Sequence, residues 1–208
     1  MGVISNGTTL LDAGSLDNGV AIGDMIPIKT LTASSSGTLS FVDGASNVVL
    51  DGTYKEYIFK FINIHPQTDN VQFHFNVSID SGSNYNVAKS TTFFEAAHNE
   101  GDTDAFLDYA SGRDLAQGTG FQLLGNGLEQ ADVADENNCG FLHLFDPSST
   151  TFVKNFLGSS IATSHNGKYA WNSYFAGYAN TTSAVDAVQF KMSSGNIDAG
   201  IIKLYGIK

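Results

Sequence analysis

The sequence has few of the residues that cross-link a chain or carry charge. It has 1 cysteine and 3 prolines among 208 residues, and only 15% of its residues are charged. The single thiol, Cys139, excludes an intrachain disulfide and every metal site that is built on paired cysteines. No apolar run approaches the ~18 residues of a membrane span. The first residues lack the basic region and apolar core of a signal peptide, so we expect neither feature.

Positive charge is also scarce. Lys and Arg number 10 against 21 Asp and Glu, which gives a formal net charge of −11. A protein that binds a phosphate backbone needs a basic surface, so this balance excludes nucleic acid as a partner. The same negative charge repels anionic membrane surfaces. We therefore expect neither nucleic acid nor a membrane as a partner.

What the chain has in quantity is turn-forming and β-forming sequence. Its 22 glycines and its many Ser, Thr and Asn residues are poor helix formers. Apolar and polar residues alternate from Val71 to Ile79, as in a half-buried antiparallel strand. The segment from Lys55 to His65 is apolar on both faces, as in a central strand that is covered on two sides.

These patterns predict an all-β fold. We expect a single domain over residues 25–208, built as a two-sheet antiparallel β-sandwich of the jelly-roll type. The long excursion from Thr91 to Asn138 is the least regular part. The core of the sandwich is predicted to contain six large side chains: Phe59, Phe61, Phe73, Phe75, Phe190 and Leu204.

Residues 1–24 are predicted to be an extended N-terminal arm. Glycine recurs every few residues there, and the segment has too little apolar surface to offset its own ordering entropy. The arm either anchors on a partner chain or is a frayed terminus. Its candidate anchors are its larger apolar residues: Leu10, Leu11, Leu16, Val20 and Ile22.

No catalytic, cofactor-binding or metal-binding motif is evident. The histidines are scattered, and no Gly-x-Ser-x-Gly elbow or phosphate-binding loop occurs. The acidic segment from Glu95 to Asp108 has enough carboxylates for calcium, but it lacks the ligand order of an EF-hand. A solvated acidic loop is the alternative. A second acidic loop, from Glu129 to Glu136, has the same two interpretations.

One aromatic stretch is a candidate recognition surface. Trp171, Tyr174 and Tyr178 are interspersed with polar residues. If exposed, they would suit glycan stacking or a protein interface; if buried, they are core.

The closing motif SSGNIDAG, followed by IKLYGI, resembles a family of virion structural proteins from tailed phages of marine bacteria, cyanobacterial phages among them. Similar segments cover most of residues 29–208. The resemblance implies a β-rich protein of the particle surface, present in many copies, without a catalytic motif. The loop Ser193–Gly200 is predicted to join two strands into a C-terminal hairpin, with glycines at its positive φ angles.

Three functional hypotheses follow. The first is a capsid decoration or auxiliary protein, bound to sister protomers and other virion proteins. The second is a tail-fibre or other appendage module that binds a host surface glycan. The third, a polysaccharide depolymerase, lacks an evident acid–base pair. The short chain and the absence of a fibrous repeat favour the first hypothesis, capsid decoration. We expect the protein to be located on the virion, which is assembled in the host cytoplasm.

Overall fold

A computed structural model of the chain describes residues 3–5, 8–12, 15–16, 24–128, 136–164 and 169–208. These residues form strands and turns and no helix, which confirms the all-β prediction. No helix that is long and apolar enough to cross a membrane occurs among them. The strands are β1 (Val3–Ser5), β2 (Thr8–Asp12), β3 (Ser15–Leu16), β4 (Met25–Thr32), β5 (Leu39–Val42), β6 (Glu56–Pro66), β7 (Val71–Ser78), β8 (Lys89–Asn99), β9 (Ala105–Tyr109), β10 (Gln122–Leu128), β11 (Asn138–Phe145), β12 (Lys154–Ser164), β13 (Tyr169–Ala179), β14 (Ala187–Met192) and β15 (Ile197–Ile207).

Two antiparallel sheets form the body of the protein. The larger sheet has eight strands in the order β4-β15-β6-β11-β12-β13-β8-β9, and the smaller has four in the order β10-β7-β14-β5. From β5 to β8 the chain changes sheet at every connection. The two-sheet antiparallel sandwich is therefore confirmed, whereas the jelly-roll type remains a prediction. The excursion after Thr91 is more regular than expected, because it supplies β8, β9 and β10.

The core lies between the facing sides of the two sheets. Each of the six predicted core residues is at most 2% exposed, which confirms the prediction. Phe190 of β14 lies at the centre, with ring centroids of Phe59 and Phe61 of β6 at 5.3 and 5.4 Å. Rings at this spacing contribute beyond the apolar area that they bury.

The alternation in β7 is confirmed on one side only. Val71, Phe73, Phe75 and Val77 are buried in the core as expected. On the opposite side, Asn76 and Ser78 are fully buried too, although a solvated face was expected there. Two loops cover Asn76, whose Nδ2 donates to the carbonyl oxygens of Tyr85 (2.6 Å) and Thr119 (3.1 Å). The Ser78 hydroxyl donates to the Asp80 Oδ1 at 2.7 Å.

The loop before β15 differs from its prediction. β14 belongs to the four-stranded sheet and β15 to the eight-stranded sheet, so the loop crosses between sheets and the predicted hairpin is wrong. The glycines do take positive φ angles, +69° at Gly195 and +119° at Gly200. A Cβ at Gly200 would lie 2.6 Å from the Asn63 carbonyl oxygen. Gly200 lies within β15, where the register shifts between Ala199 and Ile201, and both its positive φ angle and the close approach require glycine there.

The N-terminal strands form a sheet of their own. β2 pairs antiparallel with both β1 and β3. β1, β2 and β3 are therefore paired with one another, and the extended arm over residues 1–24 remains a prediction. The side chains of Leu10, Leu11, Leu16, Val20 and Ile22 lie outside the described part of the chain, so their anchoring role remains a prediction. The sandwich begins with β4 at Met25.

Candidate protein interface

The eight-stranded sheet has one side packed on the core and one side turned away from it. We call the second side the outer face. Directly paired residues of neighbouring strands point to the same side of a sheet, so the register defines which residues belong to it. Tyr109, Phe94, Tyr174, Ser159, Phe141, Lys60 and Lys203 form one continuous row across seven strands.

The outer face carries most of the exposed large apolar side chains of the described residues, with polar residues such as Ser159, Asn172 and Lys60 between them. Its exposed large side chains, each 36–74% accessible, are Ile62, Phe94, Leu107, Tyr109, Phe141, Leu157, Ile161 and Tyr174. Exposed apolar side chains that cluster on one face mark interaction sites more often than scattered ones do. The outer face is therefore the candidate functional site.

Strand β6 shows how the sequence encodes this surface. Tyr57, Phe59 and Phe61 point into the core, while Ile58 and Ile62 point to the outer face. The two-sided apolar pattern predicted a cover on both sides of this strand. The four-stranded sheet covers one side, but Ile62 on the other remains 36% exposed. Ile58, on the same side, is only 6% exposed, so within the described part of the chain the second side of β6 is covered in part.

Charge on the outer face differs from that of the whole protein. Lys60 and Lys203 are direct cross-strand partners, and like charges in such a pair repel each other. Neither forms an ion pair with a carboxylate in the described ranges, and the Lys60 Nζ lies 5.7 Å from the Tyr205 ring centroid. Glu56 is paired with the His143 Nδ1. The face is thus weakly cationic on a protein of net charge −11.

The three aromatic residues predicted for recognition do not form one patch. Tyr174 and Tyr178 point to the outer face, whereas Trp171 points to the opposite side of the same sheet. There the Trp171 Nε1 donates to the Glu95 Oε2 at 2.8 Å. The guanidinium of Arg113 lies over the indole, 5.6 Å from the ring centroid, and also pairs with Glu95. Trp171 therefore belongs to a partly buried polar cluster.

The orientation of the exposed rings favours a protein partner over a glycan. Phe94 and Tyr174 stack on each other with centroids 4.8 Å apart and an interplanar angle of 12°. That distance equals the spacing of neighbouring strands, so each ring turns one face to the other. A sugar ring stacks on an open aromatic face. In Phe94 and Tyr174, one face of each ring is covered by the other ring.

The acidic segment from Glu95 to Asp108 forms the end of β8, a turn and most of β9, and its carboxylates at Glu100, Asp102, Asp104 and Asp108 are exposed, as a solvated loop requires. Glu95 lies in β8 and is only 5% exposed, so its interpretation as a solvated residue is wrong. Asp102 pairs with His98 at 3.1 Å, and Asp104 accepts a hydrogen bond from the Tyr169 hydroxyl at 2.6 Å. No group of three or more potential ligands that could hold a metal ion occurs among the described residues. In the second acidic loop, residues 129–135 lie outside the described ranges, and Glu136 is buried.

Removing divalent cations should leave the stability of the protein unchanged. The carboxylates of Glu95, Asp102 and Asp104 already have partners within the chain, and only a metal that binds the folded form stabilises it. We expect the same melting temperature with and without excess chelator, measured by circular dichroism. A chelator-dependent fall of several degrees, reversed by added calcium, would instead establish a calcium site.

Sequence reasoning missed most of the outer face. Of its exposed apolar residues only Tyr174 was a candidate, although β6 had shown the signal of an apolar strand with two buried sides. Phe94, Phe141, Leu157 and Ile161 lie far apart in the chain, and only the strand order brings them together. Comparisons with protein-family models, curated proteins and solved structures find no match for this chain. Fold and site together define a β-sandwich with a cluster of exposed apolar side chains on the outer face of its larger sheet.

Proposed function

We propose that this chain is a non-enzymatic structural protein on the surface of a tailed-phage particle, and that it is a capsid decoration or auxiliary protein. The observation that carries the proposal is the outer face of the eight-stranded sheet. A surface protein of a particle works by docking, and this face offers a cluster of exposed apolar side chains for it. The resemblance of most of residues 29–208 to virion structural proteins supplies the phage context.

The physical character of the outer face supports a structural role. Its side chains project from neighbouring hydrogen-bonded strands, so they are held rigidly and lose little entropy on docking. The acidic remainder of the protein favours solubility before assembly. A short chain without a fibrous repeat cannot extend far from the particle. This supports a position on the capsid shell more than one along a fibre.

A tail-fibre or other appendage module that binds host glycan is the second candidate. One observation favours it: the Asn172 side-chain amide donates to the Tyr174 hydroxyl at 2.9 Å, next to the exposed rings. Amide and hydroxyl groups beside aromatic rings are the combination that binds sugars. The stacking of Tyr174 on Phe94 weighs against this candidate, because it covers one ring face of each residue.

Copy number per particle tests the proposal. We expect mass spectrometry of purified particles, with isotope-labelled reference peptides, to find this chain at a ratio to the major capsid protein of the same order as one to one. A ratio like that of the tail-fibre proteins would support the appendage module instead. Absence of the chain from particles would overturn both.

A further inference from the structure

We infer that Lys89 and Asn76 react with each other to form an intramolecular isopeptide bond, a covalent link between the two sheets. Lys89 is the first residue of β8 in the eight-stranded sheet, and Asn76 lies in β7 of the four-stranded sheet. The Lys89 Nζ donates a hydrogen bond to the Asn76 Oδ1 at 2.5 Å. Such a link restricts the unfolded chain, as a disulfide does, in a protein whose single cysteine excludes a disulfide. It does not depend on the phage role proposed above.

The first observation is the burial of the amine. Lys89 and Asn76 are both fully buried, and a lysine is almost never fully buried unless it is paired. Among the described residues the Lys89 Nζ has no carboxylate partner, and its other hydrogen bond goes to the Val87 carbonyl oxygen at 2.8 Å. Burial lowers the pKa of Lys89 from 10.5 to about 8. A larger fraction of the amine is therefore neutral at neutral pH than in water, and the neutral form is the nucleophile.

The second observation is the position of the amide. The Asn76 Oδ1 accepts a hydrogen bond from the Val77 backbone N–H at 2.8 Å, which helps to fix its orientation. A C=O bond is about 1.2 Å long, so the Lys89 Nζ lies between about 2.8 and 3.7 Å from the Asn76 Cγ. Reacting atoms that are held roughly 3–3.5 Å apart are in a near-attack position, which removes much of the entropic barrier.

The atoms of the reaction balance without a further reagent. The neutral Lys89 Nζ attacks the Asn76 Cγ, and the Val77 N–H stabilises the negative charge that develops on Oδ1, as in an oxyanion hole. One proton moves from Nζ to Nδ2. The Cγ–Nδ2 bond then breaks, Nδ2 leaves as ammonia, and Nζ keeps one hydrogen in the new amide.

The surroundings of the Asn76 Nδ2 suit the leaving ammonia. The carbonyl oxygens of Tyr85, Thr119 and Gly120 lie 2.6, 3.1 and 3.3 Å from it. An amide nitrogen has two hydrogens for these three acceptors, whereas the nitrogen that is protonated before it leaves has three. The three carbonyl oxygens therefore stabilise the protonated leaving group more than the amide, and such differential binding is what accelerates a reaction.

Tryptic digestion of the denatured protein tests the inference. The bond removes one ammonia and acylates Lys89, so trypsin no longer cleaves after this residue. The neighbouring cleavage sites are Lys60 and Arg113. We expect the main product to be the peptide 61–113, lighter than its sequence mass by one ammonia. Its fragmentation should give no ions from the backbone between Asn76 and Lys89, because the link closes that segment into a ring. No asparagine in 61–113 precedes a glycine, which disfavours succinimide formation as the source of the ammonia.

Lys154 is the matched control within the same chain. It is also fully buried, but its Nζ donates to the backbone carbonyl oxygens of Phe152 (2.6 Å) and Thr181 (3.2 Å) and, in the described ranges, to no side-chain amide. Trypsin should therefore cleave after Lys154 in the same digest. The variant Lys89→Met replaces the amine with an apolar side chain of similar length, and its peptide 61–113 should have the full mass of its sequence.

Two results would overturn the inference. The first is a natural protein, incubated until its mass is constant, whose main product is an unmodified peptide that ends at Lys89. The second is a loss of ammonia that persists in the peptide 61–113 of Lys89→Met, because another residue would then be its source. The first measurement needs only the natural chain, so it decides the matter even if Lys89→Met does not fold.

Discussion

Replacing Phe190 with alanine is expected to lower the free energy of unfolding by about 3–5 kcal/mol, the largest effect of any single substitution considered for this protein. The ring of Phe190 is fully buried between the two sheets. Five other rings lie with centroids within 6.4 Å of it: Phe41, Phe59, Phe61, Phe73 and Phe75. Strands of both sheets hold these rings, so they cannot collapse fully into the cavity, and urea denaturation should show the loss.

Phe152→Ala is the matched control for this substitution. Phe152 is 70% exposed in the connection between β11 and β12, so removing its ring creates no cavity. We expect a change of at most about 0.5 kcal/mol, as for other surface substitutions. A cost below about 1 kcal/mol at Phe190 would contradict the central position of this ring in the core.

Acidification from pH 6.5 to pH 4 is expected to destabilise the protein by about 3 kcal/mol through His74 alone. Burial, helped by the positive charge of Lys191, lowers the pKa of His74 from its ordinary value of 6.5 to about 4. Between these two pH values the unfolded chain binds a proton that the folded chain does not. Lowering the pH therefore favours unfolding over this window, and above pH 6.5 the contribution of His74 to the pH dependence vanishes.

The variant His74→Gln isolates this contribution. Glutamine is polar but does not titrate, so the variant should lack the part of the pH dependence that His74 supplies. The quantity to measure is the difference in unfolding free energy between the two proteins at several pH values, because shared carboxylates cancel in it. Natural and variant proteins with parallel plots of stability against pH from 6.5 to 4 would show that the folded and unfolded chains protonate His74 alike, so that folding does not lower its pKa.

Local pattern was sufficient to predict the core. Side chains alternate along any strand, so a run such as Val71 to Val77 can bury its apolar residues in only one way. Phe73 and Phe75 follow from that rule without knowledge of the partner strands. The same rule also separates Trp171 from Tyr174, since residues three apart in a strand point to opposite sides. The sequence alone could therefore have shown that Trp171 does not share a patch with Tyr174.

Neighbours distant in the chain could not be predicted in the same way. Asn76 has the polarity of a solvated position, and it is buried because loops near Tyr85 and Thr119 fold over it. Glu95 likewise looks like part of an acidic surface, yet Arg113 and Trp171 hold its carboxylate in a nearly closed site. In both cases the local sequence specifies a polar group, and a remote segment supplies its partner.

By itself, the sequence determined the β class, the alternation of β7 and the apolar character of both sides of β6, because these depend on a period of two along one strand. Only the tertiary structure decided that Ser193–Gly200 crosses between sheets, since a glycine-rich turn suits a crossover as well as a hairpin. The outer face, too, depends on the tertiary structure. Phe94, Phe141 and Ile161 are unremarkable in their own strands, and they become one docking surface only because strand order places them side by side.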